Sequence, residues 1–152
     1  EDKGFYYLME ALNATRVALA AGCVGLAQAA FDAALEYAKS RTQFGQPIGK
    51  FQGVSFKLAD MAMEIELARL FVYKVAWMVE QKEKVAKEAA MAKLYASEMA
   101  TRVAHRALQI HGGYGFSKEF PLERYYRDAR IFEIFQGTSE INRVIIAGQL
   151  GL

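Results

Sequence analysis

Eight apolar residues between positions 52 and 81 recur at alternating spacings of four and three. They are Val54, Leu58, Met61, Ile65, Ala68, Val72, Val75 and Val79. Residues three and four apart share one face of an α-helix, so the pattern predicts a helix with a continuous apolar stripe. A stripe of that length has to be covered by other helices, which favours a helical bundle.

Two further segments have the same kind of pattern. An Ala-rich helix is predicted over about residues 6–39, and another over about residues 85–111, where a glycine pair ends it. A short helix follows Pro121, and the last helix begins with Thr138 or Ser139 as its cap. The predicted fold is all-α: an up-and-down four-helix bundle with a short extra helix before the last helix and no strands.

The composition is typical of a folded domain. The chain has 152 residues, of which 53% are hydrophobic and 24% are charged, and this predicts one domain over residues 1–152. Its Lys and Arg are interspersed with Asp and Glu to a net charge of +2, which argues against a nucleic-acid partner. No apolar run approaches the roughly 18–20 residues of a membrane span, so a soluble protein is expected.

Cysteine content and the first residues bear on where the protein works. Cys23 is the only cysteine and lies in an apolar run, so it is expected to pack as a small apolar group in a reducing compartment. The chain does not begin with Met, and residues 1–5 resemble neither a signal nor a transit peptide, which indicates a piece of a longer protein. The cytoplasm of a bacterium or archaeon is favoured over the mitochondrial matrix.

Three short motifs together carry a family resemblance. They are Arg41-Thr-Gln-Phe-Gly45, Gln109-Ile-His-Gly-Gly-Tyr-Gly-Phe116 and Ile134-Phe-Gln-Gly-Thr-Ser-Glu-Ile-Asn-Arg143. The glycine-rich motif follows a helix, which argues against a Rossmann site. With the other two it resembles the C-terminal helical domain of the acyl-CoA dehydrogenase family. The resemblance implies an FAD-dependent oxidoreductase of the kind used in fatty-acid β-oxidation. It also implies α,β-dehydrogenation of an acyl-CoA, an electron-transfer flavoprotein as partner, and a homo-oligomer, either a dimer or a tetramer.

The resemblance also assigns residues to FAD, which is bound mainly with domains outside this chain. Gln109, Gly112 and Gly113 match positions where a glycine turn lets backbone amides approach the pyrophosphate of a neighbouring subunit's FAD. Arg41 and Phe44 match an Arg and a Phe placed against the adenosine half of that FAD. Further matches around the cofactor are Gln52, Thr138 and Glu140.

Residue 136 carries the main question about activity. In the resembled family, a glutamate directly before the Gly-Thr-Ser turn removes the α-proton of the acyl thioester, and Gln136 stands at that position. An amide keeps the shape of a glutamate but has no usable basicity. Asn13, Arg16 and Gly137 match positions that border the acyl-CoA pocket, with Arg16 beneath the catalytic carboxylate. If buried, Arg16 needs a partner, in a structural ion pair or in the substrate site.

Several explanations of Gln136 remain open. Some family members carry the glutamate immediately before the family arginine, but Thr15 stands there and is not a base. The chain could carry an inactivating substitution that traps substrate, recruit an acid from elsewhere, or be an acyl-CoA lyase or desulfinase-like relative that needs no α-proton abstraction. A non-catalytic helical assembly domain and a relative of DNA-binding superfamily members are further alternatives. His105 and His111 lie on opposite helix faces, so no metal site is expected.

Overall fold

The computed structural model describes residues 3–152, apart from the side chains of residues 5 and 6. The helices are α1 (Gly4–Ser40), α2 (Gln52–Glu80), α3 (Ala86–His111), α4 (Gly113–Phe116), α5 (Leu122–Ile131) and α6 (Ser139–Gln149). A hairpin of β1 (Thr42–Gln43) and β2 (Gln46–Pro47), followed by a 3₁₀ turn (Ile48–Lys50), connects α1 to α2.

The core lies where α1, α2 and α3 pack along one another. Six residues of the predicted α2 stripe are buried, and Val54 and Val79 pack at its two ends. The buried face of α1 consists mainly of alanines, which lets its backbone approach α3 closely. Cys23 is fully buried on this face, as predicted. The all-α bundle is confirmed, and the bounds of the three long helices lie within two residues of the predicted ones.

The expectation of no strands was wrong at one short hairpin. β1 and β2 pair antiparallel, with Thr42 opposite Pro47. Phe44 and Gly45 between them have φ values of 53° and 80°, the two positive dihedral angles of a tight hairpin turn. Strands of two residues are too short to show a periodicity in the sequence, and Pro47 by itself indicates only a connection.

α1 also departs from the expectation that no segment is long enough to cross a membrane. By length and composition alone, residues 7–40 would suffice, and no other helix of the described residues does. The same segment packs along α3 and α2 in the bundle, with its alanine face buried against α3. Core helices of globular domains pass this test too, so one such helix is weak evidence for a membrane role.

Candidate functional site

The predicted catalytic position lies in a tight turn between α5 and α6. Gln136 and Gly137 both have left-handed backbone, with φ values of 52° and 94°. For a residue with a Cβ such as Gln136, this conformation costs on the order of 1–3 kcal/mol, so surrounding contacts must hold it. The Ser139 N–H donates to the Glu133 carbonyl at 3.0 Å and closes the segment into a loop. We call residues 133–139 the 136 turn.

Two buried side chains hold the 136 turn from inside the bundle. The Lys93 ammonium on α3 donates to the Gly137 carbonyl at 2.7 Å, and Asn142 Nδ2 on α6 donates to the same oxygen at 2.9 Å. Asn142 also donates to the Thr138 carbonyl at 2.9 Å. Neither Lys93 nor Asn142 has exposed surface. Hydrogen bonds shielded from water therefore anchor the turn to two helices.

Arg16 reaches the same turn from α1. It is buried, and a Cβ built on Gly137 would lie 3.7 Å from Arg16 Nη2. Arg16 Nη1 donates to Asn13 Oδ1 at 2.9 Å. Among the described residues, no carboxylate lies within ion-pair distance of Arg16 or Lys93, so the expected structural ion pair is not found. Burial lowers the pKa of both cations, because desolvation disfavours the charged form.

Unpaired polar atoms concentrate at this turn. Within the described chain, the buried side-chain atoms without a hydrogen-bond partner are Arg16 Nε, Gln136 Oε1, Ser139 Oγ and Asn142 Oδ1. Buried polar atoms are nearly always paired, because an unpaired one costs about 1–3 kcal/mol. All of these atoms belong to the 136 turn or to side chains that contact it. Unpaired donors and acceptors of this kind are typical of a binding site, in which a ligand or another part of the protein supplies their hydrogen-bond partners.

Thr15, Thr138 and Glu140 make local hydrogen bonds at this end of the bundle. The Thr15 hydroxyl donates to a backbone carbonyl one turn earlier at 3.0 Å. Of the two predicted caps, Thr138 is the one that caps α6, since its hydroxyl accepts from the Ile141 N–H at 3.2 Å. Hydrogen bonds from the backbone N–H of Glu140 and from the Thr138 hydroxyl lower the pKa of the Glu140 carboxyl. Thr138 is thus part of the 136 turn, and Glu140 directly follows it.

A second candidate site lies at the far end of α1 and α3. A groove of about 650 Å³ opens between the C-terminal ends of these helices, the hairpin and α4. It is lined by Tyr37, Arg41, Gln43, Ile48, Ile110, His111, Gly112, Gly113, Tyr114, Ser117 and Glu119. The Arg41 guanidinium lies over the Tyr114 ring, 5.8 Å from its centre, which links the predicted cation to the glycine-rich motif. We call this the glycine groove.

The glycine groove owes its shape to a close approach of α4 to α3. A Cβ at Gly115 would lie 2.6 Å from the Leu108 carbonyl oxygen, so α4 can fold back onto α3 only without a side chain there. Gly112 ends α3 as predicted, with φ 61° and ψ −135°. Among the described residues, the backbone N–H groups of Gly113 and Tyr114 donate to no backbone carbonyl outside α4, so both can donate to a ligand.

The donors of the groove fit the phosphates of a dinucleotide such as FAD. Unpaired backbone amides and a guanidinium are the groups that bind phosphate oxygens, and a glycine turn permits their close approach. Of the predicted FAD residues, Arg41, Gly112 and Gly113 come together here. Phe44, Gln52 and Gln109 do not line the groove; all three are exposed, and Phe44, at the hairpin tip, packs edge-on against Phe51.

His111 lines the groove, although the sequence analysis gave it no binding role. It is buried, its ring stacks on Tyr37 with centres 4.2 Å apart, and its Nδ1 lies 3.0 Å from the Ala107 carbonyl. Burial lowers the pKa of His111, partly offset by the hydrogen bond to Ala107. The ring is therefore neutral at pH 7. His105 is exposed, and no group of three metal-ligating side chains was found in the part of the chain that the structure describes.

A cleft larger than the glycine groove contains neither candidate centre. It has a volume of about 980 Å³ and is lined by Asn13 and by residues 82–88, which form most of the charged α2–α3 connection and the first turn of α3. Gln136 and Gly137 do not line it. The size of a cleft therefore does not identify the predicted catalytic position in this structure. Of the predicted substrate residues, only Asn13 lines this cleft.

The sequence analysis did not single out Lys93 or Asn142. A signal for Lys93 was present, because it lies four residues after Ala89 and three before Ala96, on the apolar face of α3. A lysine on such a face is rarely buried without a specific partner. That partner, the Gly137 carbonyl, is 44 residues away in the sequence and becomes visible only in the fold.

Comparison with known proteins identifies the family. The family model for the acyl-CoA dehydrogenase C-terminal domain matches residues 2–151. The chain is 57% identical over 148 residues to probable acyl-CoA dehydrogenase YngJ of Bacillus subtilis, which covers 97% of this chain and 39% of that protein. It is 46% identical over 149 residues to subunit CarC of the caffeyl-CoA reductase-Etf complex of Acetobacterium woodii, which covers 98% and 39%.

A solved structure agrees with these matches. Butyryl-CoA dehydrogenase from Megasphaera elsdenii aligns with a TM-score of 0.98 and 47% identity, over 100% of this chain and 40% of that one. The chain thus spans about two fifths of the length of these relatives. It belongs to the acyl-CoA dehydrogenase family, in which it corresponds to the C-terminal domain.

Proposed function

We propose that this chain is the C-terminal domain of an FAD-dependent enzyme that binds an acyl-CoA thioester beside the 136 turn. The observation that carries the proposal is the cluster of buried, unpaired polar atoms around Gln136 and Gly137, with Arg16 next to them. The native reaction, or the reaction of a parent enzyme with glutamate at residue 136, is α,β-dehydrogenation of the acyl group. FAD, when bound, is the hydride acceptor. The acyl-CoA dehydrogenases among its relatives support this assignment.

The residues of the chain have separate tasks in this proposal. Gln136 hydrogen-bonds to the thioester from the position of the family base, while Arg16, oriented by Asn13, supports it from beneath. The glycine groove supplies Arg41 and backbone amides to the phosphates of a neighbouring subunit's FAD. The remaining predicted FAD contacts act in the assembled protein. Phe44, Gln52, Gln109 and Glu140 are exposed in the single chain, and Thr138 is half-buried.

Gln136 favours a second candidate function. An amide takes up no proton near neutral pH. Thr15, at the other family position for a base, has only a hydroxyl that already donates to the backbone. A lyase or desulfinase-type reaction on an acyl-CoA breaks a bond other than the α-C–H bond and needs no base at residue 136. In that case Gln136 only positions the thioester.

An electron-transfer flavoprotein and further copies of this chain are the proposed protein partners. CarC is named as a subunit of an Etf complex, which supports such a flavoprotein as electron acceptor. Large apolar side chains are exposed on α2 and α6, among them Phe56, Met63, Leu67, Leu70, Trp77, Ile141 and Val144. Exposed apolar surface of this extent is typical of subunit interfaces. Light scattering of the full-length protein should give a dimer or tetramer, and a monomer at high micromolar concentration would contradict this.

The test of the catalytic proposal uses the full-length protein with FAD bound. With Gln136 in place, a saturated acyl-CoA should perturb the flavin spectrum on binding but reduce the flavin very slowly. Gln136→Glu should accelerate reduction by about 10²- to 10⁴-fold, the usual contribution of a general base. Rapid reduction with Gln136 in place, and no gain from glutamate, would contradict the assignment of residue 136. A cleaved acyl product with Gln136 in place would support the lyase.

A further inference from the structure

The 136 turn uses a buried cation where a neutral group would suffice. Lys93 has no exposed surface, and within the described chain its ammonium donates only to the Gly137 carbonyl, at 2.7 Å. Asn142 already supplies a neutral donor to that oxygen. Burying an ammonium without a carboxylate partner is unfavourable, so a purely structural role explains the amide of Asn142 better than the charge of Lys93.

We propose that Lys93 is a positioning residue for residue 136. Together with Asn142, its ammonium fixes the Gly137 carbonyl, and thereby the left-handed turn that aims the side chain of residue 136 at the acyl thioester. This carbonyl belongs to Gly137, the second of the two residues with positive φ. Fixing the carbonyl therefore also fixes the backbone dihedral angles that set the direction of the residue 136 side chain. This inference rests on the proposed function of the turn.

The same ammonium sets the charge around residue 136. The charged or titratable groups that interact electrostatically with Lys93 are Cys23 and Arg16 on α1, Glu133 in the turn and Glu98 on α3. Cys23 is a neutral thiol, because burial raises its pKa to about 12. Each of the two glutamates already pairs with an arginine. Arg16 and Lys93 therefore leave positive charge beside residue 136, which would favour the ionised form of a carboxylate placed there.

The test measures flavin reduction by a saturated acyl-CoA in the full-length Gln136→Glu protein. Adding Lys93→Met should lower kcat about tenfold or more and leave KM within about threefold, because residue 136 is misaligned while substrate binding is retained. The half-maximal point of the pH–rate profile should move up by about one pH unit, because the carboxyl loses a nearby positive charge. Lys87→Met removes a partly exposed lysine from the same helix and should change neither quantity.

The Asn142→Leu variant tests the geometry of the 136 turn without changing the charge beside residue 136. Leucine has a similar volume but no donor, so kcat should fall while the pH profile stays in place, because Lys93 keeps its charge. This variant also tests the turn if Lys93→Met does not fold. A folded Lys93→Met protein with an unchanged kcat and pH profile, or Asn142→Leu with an unchanged kcat, would overturn the inference. If the proposed function itself is wrong, Gln136→Glu alone will give no flavin reduction. That result would overturn both the proposed function and the inference about Lys93.

Discussion

The 136 turn and the glycine groove lie at opposite ends of the same two helices and are built in opposite ways. Arg16 and Arg41 are about 25 residues apart along α1, or about 37 Å at 1.5 Å per residue. The turn is held by side chains that are nearly or fully buried, two of them cationic. The groove is an open surface whose donors are backbone amides and an exposed arginine.

This difference matches what each region is proposed to bind. A reacting atom must be aimed, so the turn is fixed by hydrogen bonds that water cannot reach. The diphosphate of a dinucleotide can be held by several donors while part of it remains solvated, and exposed amides with one cation do this without burying charge. The separation also indicates that the two regions contact different bound molecules or different parts of an assembly, as expected if the groove binds a neighbouring subunit's FAD.

The largest effect on stability is expected at the groove. Gly115→Ala should destabilise the protein by about 2–3 kcal/mol, because the new Cβ would overlap the Leu108 carbonyl oxygen and push α4 away from α3. Gly137→Ala has ordinary room for its Cβ and strains only φ, so about 1 kcal/mol is expected. Urea unfolding measures both. Gly22→Ala, in open space on α1, is the control and should not destabilise. Equal losses of stability for Gly115→Ala and Gly137→Ala would contradict the expectation that overlap with the Leu108 carbonyl costs more than strain in φ.

Arg16→Met should separate stability from function at the turn. Replacing a buried cation that lacks a carboxylate partner with an apolar side chain should raise the free energy of unfolding by about 1 kcal/mol, since the desolvation cost disappears. The same change should weaken acyl-CoA binding by about tenfold, a loss of about 1.4 kcal/mol. Thermal unfolding and titration of the flavin spectrum give the two quantities. Arg69→Met, which removes a partly exposed arginine paired with Glu66, should not stabilise. A strong loss of stability for Arg16→Met would show that Arg16 has a structural role.

Arg41→Gln should show the opposite behaviour at the groove. Arg41 is exposed, so stability should stay within about 0.5 kcal/mol, while the dissociation constant of FAD should rise by about tenfold. Arg124→Gln is a matched control, because the Arg124 guanidinium lies 5.6 Å from the centre of the Tyr125 ring but outside the groove. Fluorescence of released FAD measures the affinity. Equal affinity losses for the two variants would mean that the groove is not the phosphate site.

The smallest effect is a pH dependence from His111. Its folded-state pKa lies below the ordinary value of 6.5, so as pH falls below 6.5 the unfolded chain takes up a proton that the folded chain does not. Stability should therefore rise with pH up to about 6.5 and change little above it. His111→Gln should flatten this part of the stability–pH curve, whereas His105→Gln, at an exposed position, should not. An unchanged slope in the His111 variant would contradict the assignment.

Helix periodicity predicted most of the fold because it repeats over many turns. The stripe from Val54 to Val79 was sufficient to place α2, and the same argument placed α1 and α3. The hairpin at Thr42–Pro47 escaped prediction because two-residue strands carry no periodic signal. The family resemblance assigned Arg41 and the glycine turn to the same cofactor, and the structure brings them together. The same reasoning added Phe44, Gln52 and Gln109, which the single folded chain leaves outside the groove.

The sequence by itself determined the family and the helical class, and it led to the prediction that an amide, Gln136, stands at the position of the family base. These depend only on residue identity and spacing along the chain, both of which the sequence contains. Only the tertiary structure decided that Lys93, Arg16 and Asn142 meet at the 136 turn. They come from three helices and from positions up to 126 residues apart, and nothing in local spacing relates them. Burial and the absence of a carboxylate within ion-pair distance among the described residues are likewise properties of the packed core, because both depend on which helices enclose a side chain.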